Sequence, residues 1–276
     1  MELFKPRYLK DGPGVPKNEP PKKPIAHFFE LFTRKFTRLI TLNLFYLLFW
    51  LPILAGYIAI FALSLPYWVE IPVVLLGLLL AGPATAGLVK VLLLFTEEKP
   101  VFMPSDFMDA FKENYWKAYL LSACDAVLFY LTSVAVSFYA SQESFGFLAA
   151  LPISAVLFAA LVALFANFYA MPMIVKLKLG FFSILRNSLL LALAEIKNNF
   201  ITLFWCAVIV VPCVLLFPYT LLAIIPLVPA LVSFIACFNC WPIILRRCVL
   251  QGSDGETGPA EQIFEDTDGR NSDERQ

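Results

Sequence analysis

An all-α, polytopic membrane protein with six transmembrane helices and short interfacial elbow helices is the fold class this sequence predicts. Three observations carry that prediction. The 276-residue chain is 60% hydrophobic and 15% charged, whereas soluble domains are about half apolar and a quarter charged. Its apolar residues are gathered in long runs. Its Lys and Arg residues fall only in alternate connections between those runs.

The runs are Ile40 to Leu65, Ile71 to Phe95, Ala118 to Ala140, Phe147 to Val175, Phe200 to Phe217 and Tyr219 to Leu245. About 20 apolar residues in a helix match the hydrocarbon thickness of a bilayer. The fifth run is the shortest, and Phe217-Pro218-Tyr219 must turn it tightly into the sixth.

Of the 21 Lys and Arg residues, those up to Arg38 precede the first run. Lys90, Lys99, Lys112 and Lys117 flank the second connection, and Lys176, Lys178, Arg186 and Lys197 the fourth. Arg246, Arg247, Arg270 and Arg275 follow the sixth run. Basic residues concentrate on the cytoplasmic side of a membrane protein. The expected localisation is therefore the bacterial plasma membrane, multi-pass, with both termini cytoplasmic. No cleavable signal peptide is expected, because the N-terminus is polar and no short apolar core precedes the first run.

Three regions follow. Residues 1–24, with Pro6, Pro13, Pro16, Pro20, Pro21 and Pro24 among lysines, read as an extended basic arm. Residues 25–250 form the membrane domain. Residues 251–276 are acidic and read as a disordered tail. Both ends read as solvated tails; the functional alternative is that the arm touches anionic lipid headgroups, or that the tail docks a partner.

Each outward span has a charged, aromatic prelude. Ile25, Phe28, Phe29, Phe32 and Phe36 share one helical face. So do Phe107, Met108, Phe111 and Tyr115, with Ser105 or Asp106 as the expected N-cap. The segment from Phe181 to Asn198 is more apolar. Each fits a short helix in the interface, and Lys117 would anchor the inner end of the third span. Each returning span carries a proline and then a basic residue: Pro83 and Lys90, Pro172 and Lys176, Pro242 and Arg246. The unit reads as a helical hairpin repeated three times in parallel about an axis along the membrane normal.

Candidate functional residues are few. Asp125 lies eight residues after Lys117, roughly 12 Å into the membrane at ~1.5 Å per residue. A charge there costs ~2.5–3.5 kcal/mol or more, so it must face protein or water, or be protonated. Ser122, Asp125 and Thr132 share a face, with Ser133 close to it. One reading is a proton, cation or ligand site. The other is an Asp hydrogen-bonded to a neighbouring span through Asn43, Asn167 or Asn239. Gly82-Pro83-Ala-Thr-Ala-Gly87 would either break the second span and expose carbonyls, or let helices pack closely.

Cys237-Phe-Asn-Cys240 has metal or redox spacing but no second ligand pair nearby, so the cysteines read as packing residues. His27 is the only histidine, and neither a metal site nor a cofactor is expected. Nor is a nucleic-acid partner, since the basic residues follow topology and net charge is zero.

The stretches Asn43-Leu-Phe-Tyr-Leu-Leu-Phe-Trp-Leu-Pro52, Gly82–Gly87 and Phe107-Met-Asp-Ala-Phe-Lys-Glu-Asn-Tyr-Trp-Lys117 resemble the YesL family of bacterial membrane proteins, a domain of unknown function. The likeness in layout covers roughly Phe28 to Arg247, with its specific part between Leu42 and Lys117. Members are often encoded beside oligosaccharide import permeases and polysaccharide-degrading enzymes. The resemblance thus implies an accessory role in carbohydrate uptake, and it supplies no catalytic residues. The expectation is a non-enzymatic subunit docked on a sugar ABC permease through the membrane or through the elbow between Lys99 and Lys117, with Phe107, Phe111, Tyr115 and Trp116 as its contact residues. The alternative is a stand-alone transporter with Asp125 as its proton or cation site.

Overall fold

A computed structural model describes residues 24–217, 219–220 and 227–250. The arm before Pro24, the tail after Leu250 and Pro218 lie outside these residues. By contacts the chain divides into Met1–Arg34 and Lys35–Gln276. In the first unit the described residues open a helix, with Phe28 edge-on to Phe29 at 5.8 Å and stacked on Phe32 at 6.3 Å.

Nine long helices are described: α1 (Pro24–Leu48), α2 (Leu51–Ala62), α3 (Glu70–Thr96), α4 (Met103–Glu113), α5 (Tyr115–Ser141), α6 (Ala150–Lys176), α7 (Phe181–Ala194), α8 (Ile196–Leu215) and α9 (Val228–Ile244). A π-helical turn, Leu245–Leu250, extends α9. Among the described residues there is no strand. The protein is an all-α polytopic membrane protein. Among the described residues five helices are long and apolar enough to cross a membrane, and α1 with α2 make a bent sixth.

The first span departs from expectation. Instead of a separate elbow followed by a straight helix, α1 runs from Pro24 through Leu48, and α2 leaves it at 51°. Pro52 is the cause. It has no N–H to give the carbonyl of Leu48, and its ring would clash there. The chain tightens at the break, where Phe49 N–H bonds Tyr46 O and Trp50 N–H bonds Leu47 O.

The three returning helices, α3, α6 and α9, pack on one another and form the centre. Around them, α2 packs on α3, α5 on α3 and α6, and α8 on α9. This arrangement accords with three hairpins. Each central helix has its proline inside: Pro83, Pro172 and Pro242. In α3 the buried residues run from Gly82 to Phe95, and in α6 from Phe165 to Ile174, both towards the end that carries the basic residue. Many other large apolar side chains are exposed, among them Phe61, Phe129, Phe147 and Phe158. Such a surface is what lipid covers.

Two elbow helices are present, but neither lies apart in the interface. Helix α4 folds back against α3, and α7 against α6. The N-cap of α4 is Phe102, not Ser105 or Asp106. Both expected caps sit inside the first turns. Asp106 Oδ2 accepts the Phe102 N–H at 2.8 Å, and Ser105 Oγ donates to Asp109 Oδ2 at 3.2 Å. Pro104 occupies the second helical position, which needs no N–H, so the helix begins earlier than the polar residues suggest.

Candidate functional site

Asp125 sits on α5 facing α6, where Asn167 Nδ2 donates to its Oδ1 at 2.8 Å. The same amide donates to Ala163 O at 3.2 Å. Of the three asparagines weighed as partners, Asn167 is the one in contact. The pair lines a groove of about 100 Å³ between α5, α6 and α7. Leu121, Leu128, Ala163, Ala166 and Ala170 line it, with Ser188 from α7. A carboxylate at this depth thus gains one amide donor and an otherwise apolar setting. That setting can hold a proton or a small cation, or can tie two spans together.

The other members of the expected polar stripe do not join this groove. Ser122 turns toward α3, where its Oγ stands 2.6 Å from the position a Gly82 Cβ would take. The Oγ1 of Thr132 is buried without a hydrogen-bond partner. Asn43 is elsewhere altogether. It is fully buried, and its Oδ1 accepts the Ala230 N–H at 2.9 Å, capping the first turn of α9 from another helix. The first N–H groups of a helix have no internal partner, and in hydrocarbon water cannot supply one.

Gly82, Pro83 and Gly87 do not break the span, since α3 is helical from Glu70 to Thr96. The close-packing alternative describes them. A Cβ on Gly82 would meet the Ala118 carbonyl oxygen at 2.6 Å, and one on Gly87 would meet the Phe107 ring at 2.8 Å. In a membrane, helices associate through such close backbone approach rather than through a hydrophobic drive.

The expected docking elbow is partly internal. Phe107 is 0% exposed. Its ring meets Phe45 edge-on at 4.9 Å and stacks on Phe49 at 5.5 Å. It is therefore not available to a partner, because the space left by Gly87 takes it inward. Phe111 and Tyr115 are half-buried, with ring centroids 5.8 Å apart. Trp116 is 69% exposed and is the one large surface ring of the four.

Sequence reasoning missed a clasp where the central helices end. Lys176 Nζ, at the end of α6, lies 2.7 Å from Glu97 Oε2, just past α3. Its ammonium also stands over the Trp241 ring of α9, 5.5 Å from the centroid. Burial would raise the Glu97 carboxyl, but hydrogen bonds and charge from Lys176 and Lys99 outweigh it and hold it below its ordinary range. Nearby, Lys117 Nζ donates to Leu179 O at 2.9 Å, which anchors α5 as expected, though on the α6–α7 loop. Arg247 pairs with Glu195 at 3.0 Å. A second feature is a buried polar seam. Tyr169 OH donates to Asn199 Oδ1 at 2.6 Å, and Asn199 Nδ2 to Ala192 O at 2.9 Å. Asn239 Nδ2 donates to Thr202 Oγ1 at 3.3 Å. The available signal was Tyr169 and Asn239 inside apolar runs and Asn199 just before the start of one.

Among the described residues no group of three or more His, Cys, Asp or Glu could hold a metal ion. Cys237 and Cys240 are buried free thiols.

Fold and site together define a polytopic helical membrane protein with one intramembrane acid–amide pair. A family profile described as a protein of unknown function, DUF624, matches residues 39–136. That stretch holds Asn43, Gly82, Gly87, the α4 elbow and Asp125, while Asn167 lies beyond it. Neither a curated protein nor a solved structure matches the chain.

Proposed function

We propose that this protein is a non-enzymatic subunit of a bacterial plasma-membrane assembly for oligosaccharide uptake, seated beside an ABC permease with both termini in the cytoplasm. The finer family reading, YesL, is part of the same proposal. The observation that carries it is the packed centre. Helices α3, α6 and α9 lie on one another, with Lys176, Glu97 and Trp241 clasped where they end. The Asp125 groove, at about 100 Å³, falls below the ~300–1,000 Å³ of small-molecule pockets. A packed bundle with an exposed aromatic at its elbow suits docking better than carriage of a sugar. The resemblance supplies the carbohydrate context, and the alternating Lys and Arg pattern supplies the orientation.

Affinity purification from native membranes in mild detergent, with mass spectrometry, tests this reading. Sugar ABC permease subunits at stoichiometric amounts are expected. Recovery of this protein without any permease subunit would sink it.

A second reading is favoured by one observation, the Asp125–Asn167 pair on a groove. Here the protein alone carries a small solute, with Asp125 as its proton or cation site. Purified protein in liposomes should then move solute, and Asp125→Asn should abolish flux. Absence of flux from wild-type liposomes would remove this reading.

A further inference from the structure

The groove beside Asp125 holds more bonding capacity than its internal hydrogen bond uses. Asn167 engages only Oδ1 of the carboxylate. Its own donors go to Asp125 and Ala163 O, which leaves the Asn167 Oδ1 as an acceptor. Among the described residues no donor reaches Asp125 Oδ2 or Asn167 Oδ1, and neither atom is sealed from the surface. Ser188 commits its hydroxyl proton to Leu185 O at 2.9 Å, so it too offers the groove only an acceptor. No Lys or Arg among the described residues pairs with Asp125. The groove is thus one carboxylate and neutral acceptors set in hydrocarbon walls. It reaches the surface at Cys124, which is exposed, and at Leu189, which is 37% exposed.

Ligand chemistry follows from that inventory. Acceptors around a negative charge call for a cation that carries donors. A hard metal cation takes about six oxygen ligands, more than this groove supplies. A quaternary ammonium brings charge without N–H groups. A primary ammonium brings charge and three donors, and an alkyl chain suits leucine and alanine walls. The volume, about 100 Å³, is space for several waters, each of which needs ~10–15 Å³ on this measure. That is room for an ammonium head and its first methylenes, with the rest of the chain running out into lipid.

We infer that the groove between α5, α6 and α7 is a binding site for long-chain primary amines, with Asp125 and Asn167 receiving the ammonium head. The site is independent of the assembly role proposed above. Its ligand enters sideways from the bilayer.

Cys124 at the rim gives a direct readout in the intact protein. Modification of purified wild type by methyl methanethiosulfonate, which reacts with thiols and spares amines, is followed at Cys124 by peptide mass spectrometry, with decylamine, decanol or decyltrimethylammonium at equal mole fraction in the micelle. Decylamine should slow Cys124 modification saturably, by about tenfold or more, the scale of one charge-assisted hydrogen bond. Decanol and decyltrimethylammonium should leave it nearly unchanged. Asp125→Asn, which keeps an oxygen for the Asn167 amide, should abolish the slowing. Equal protection by decanol would reduce the groove to an apolar crevice and overturn the proposal. Equal protection by decyltrimethylammonium, or full protection in Asp125→Asn, would overturn it as well. If that variant does not fold, the comparison of the three amphiphiles on wild type decides alone.

Discussion

Lys176 and Glu97, 79 positions apart in the chain, meet at 2.7 Å and join the ends of α6 and α3. Each side chain is only 15% exposed. Removing one partner leaves the other charge poorly solvated. Glu97→Gln should therefore cost about 1.5–3 kcal/mol of stability at neutral pH. The pH dependence has a definite sign. Because the folded-state carboxyl is held below its ordinary value of 4.5, the contribution is complete above that value. It is lost as pH falls through the lowered folded value. Unfolding followed across acidic pH should show wild type losing stability below that range. A Glu97→Gln profile just as steep would show that the clasp is not the source.

Two of the three glycines of α3, Gly82 and Gly77, predict unequal outcomes along one helix. Gly82→Ala would place a Cβ 2.6 Å from the Ala118 carbonyl oxygen, a backbone atom that cannot swing aside. A loss of about 1–3 kcal/mol is expected, as for overpacking in a filled core. Gly77 has only Ile53 atoms at 3.6 Å or more. Gly77→Ala should be neutral or stabilising by up to ~1 kcal/mol, from helix propensity. Thermal unfolding of the two variants in detergent checks the contrast. Equal effects would mean that the α3–α5 approach does not matter.

The elbow separates a packing residue from a docking residue. Phe107→Ala should cost about 3–5 kcal/mol, since a fully buried ring is removed from between α3 and α1. Trp116→Ala should change stability by less than ~0.5 kcal/mol, as exposed positions do. On the assembly proposal, it should nevertheless lower recovery of the permease in the purification above. Unchanged recovery would move the docking surface away from this elbow.

Asn43→Ala should leave the Ala230 N–H buried without its acceptor, at a cost of about 1–3 kcal/mol. Hydrogen exchange at the first turn of α9 should quicken. Asn43→Asp retains an oxygen at that position and should preserve slower exchange than Ala does. If all three proteins exchange alike, the cap is not holding that turn.

The sequence showed the number and order of spans plainly, because about twenty apolar residues can do little but cross a bilayer. The bend at Pro52 was less visible, since the apolar run continues through it. Asp125 stood out by its cost, and Asn167 was among its named partners, because a polar side chain in hydrocarbon must find another. Which partner it finds depends on helix packing, and for the same reason Asn43 was assigned to the wrong cluster. Its acceptor serves a backbone group that composition cannot reveal. The Lys176–Glu97 clasp was hidden for a related reason. Both residues look like ordinary flanking charges, and only the mutual packing of α3 and α6 brings them together.

The cap that Asn43 places on Ala230 spans 187 residues of chain. A ribosome adding ~5–20 residues per second needs roughly ten to forty seconds to cover that distance. Throughout that interval the first span resides in the membrane with an amide whose final recipient does not yet exist. A chain truncated before α9 never supplies it. Such a product lacks the N–H that the Asn43 carbonyl accepts in the finished fold, so the last central helix must be made before the first span has its full set of bonds.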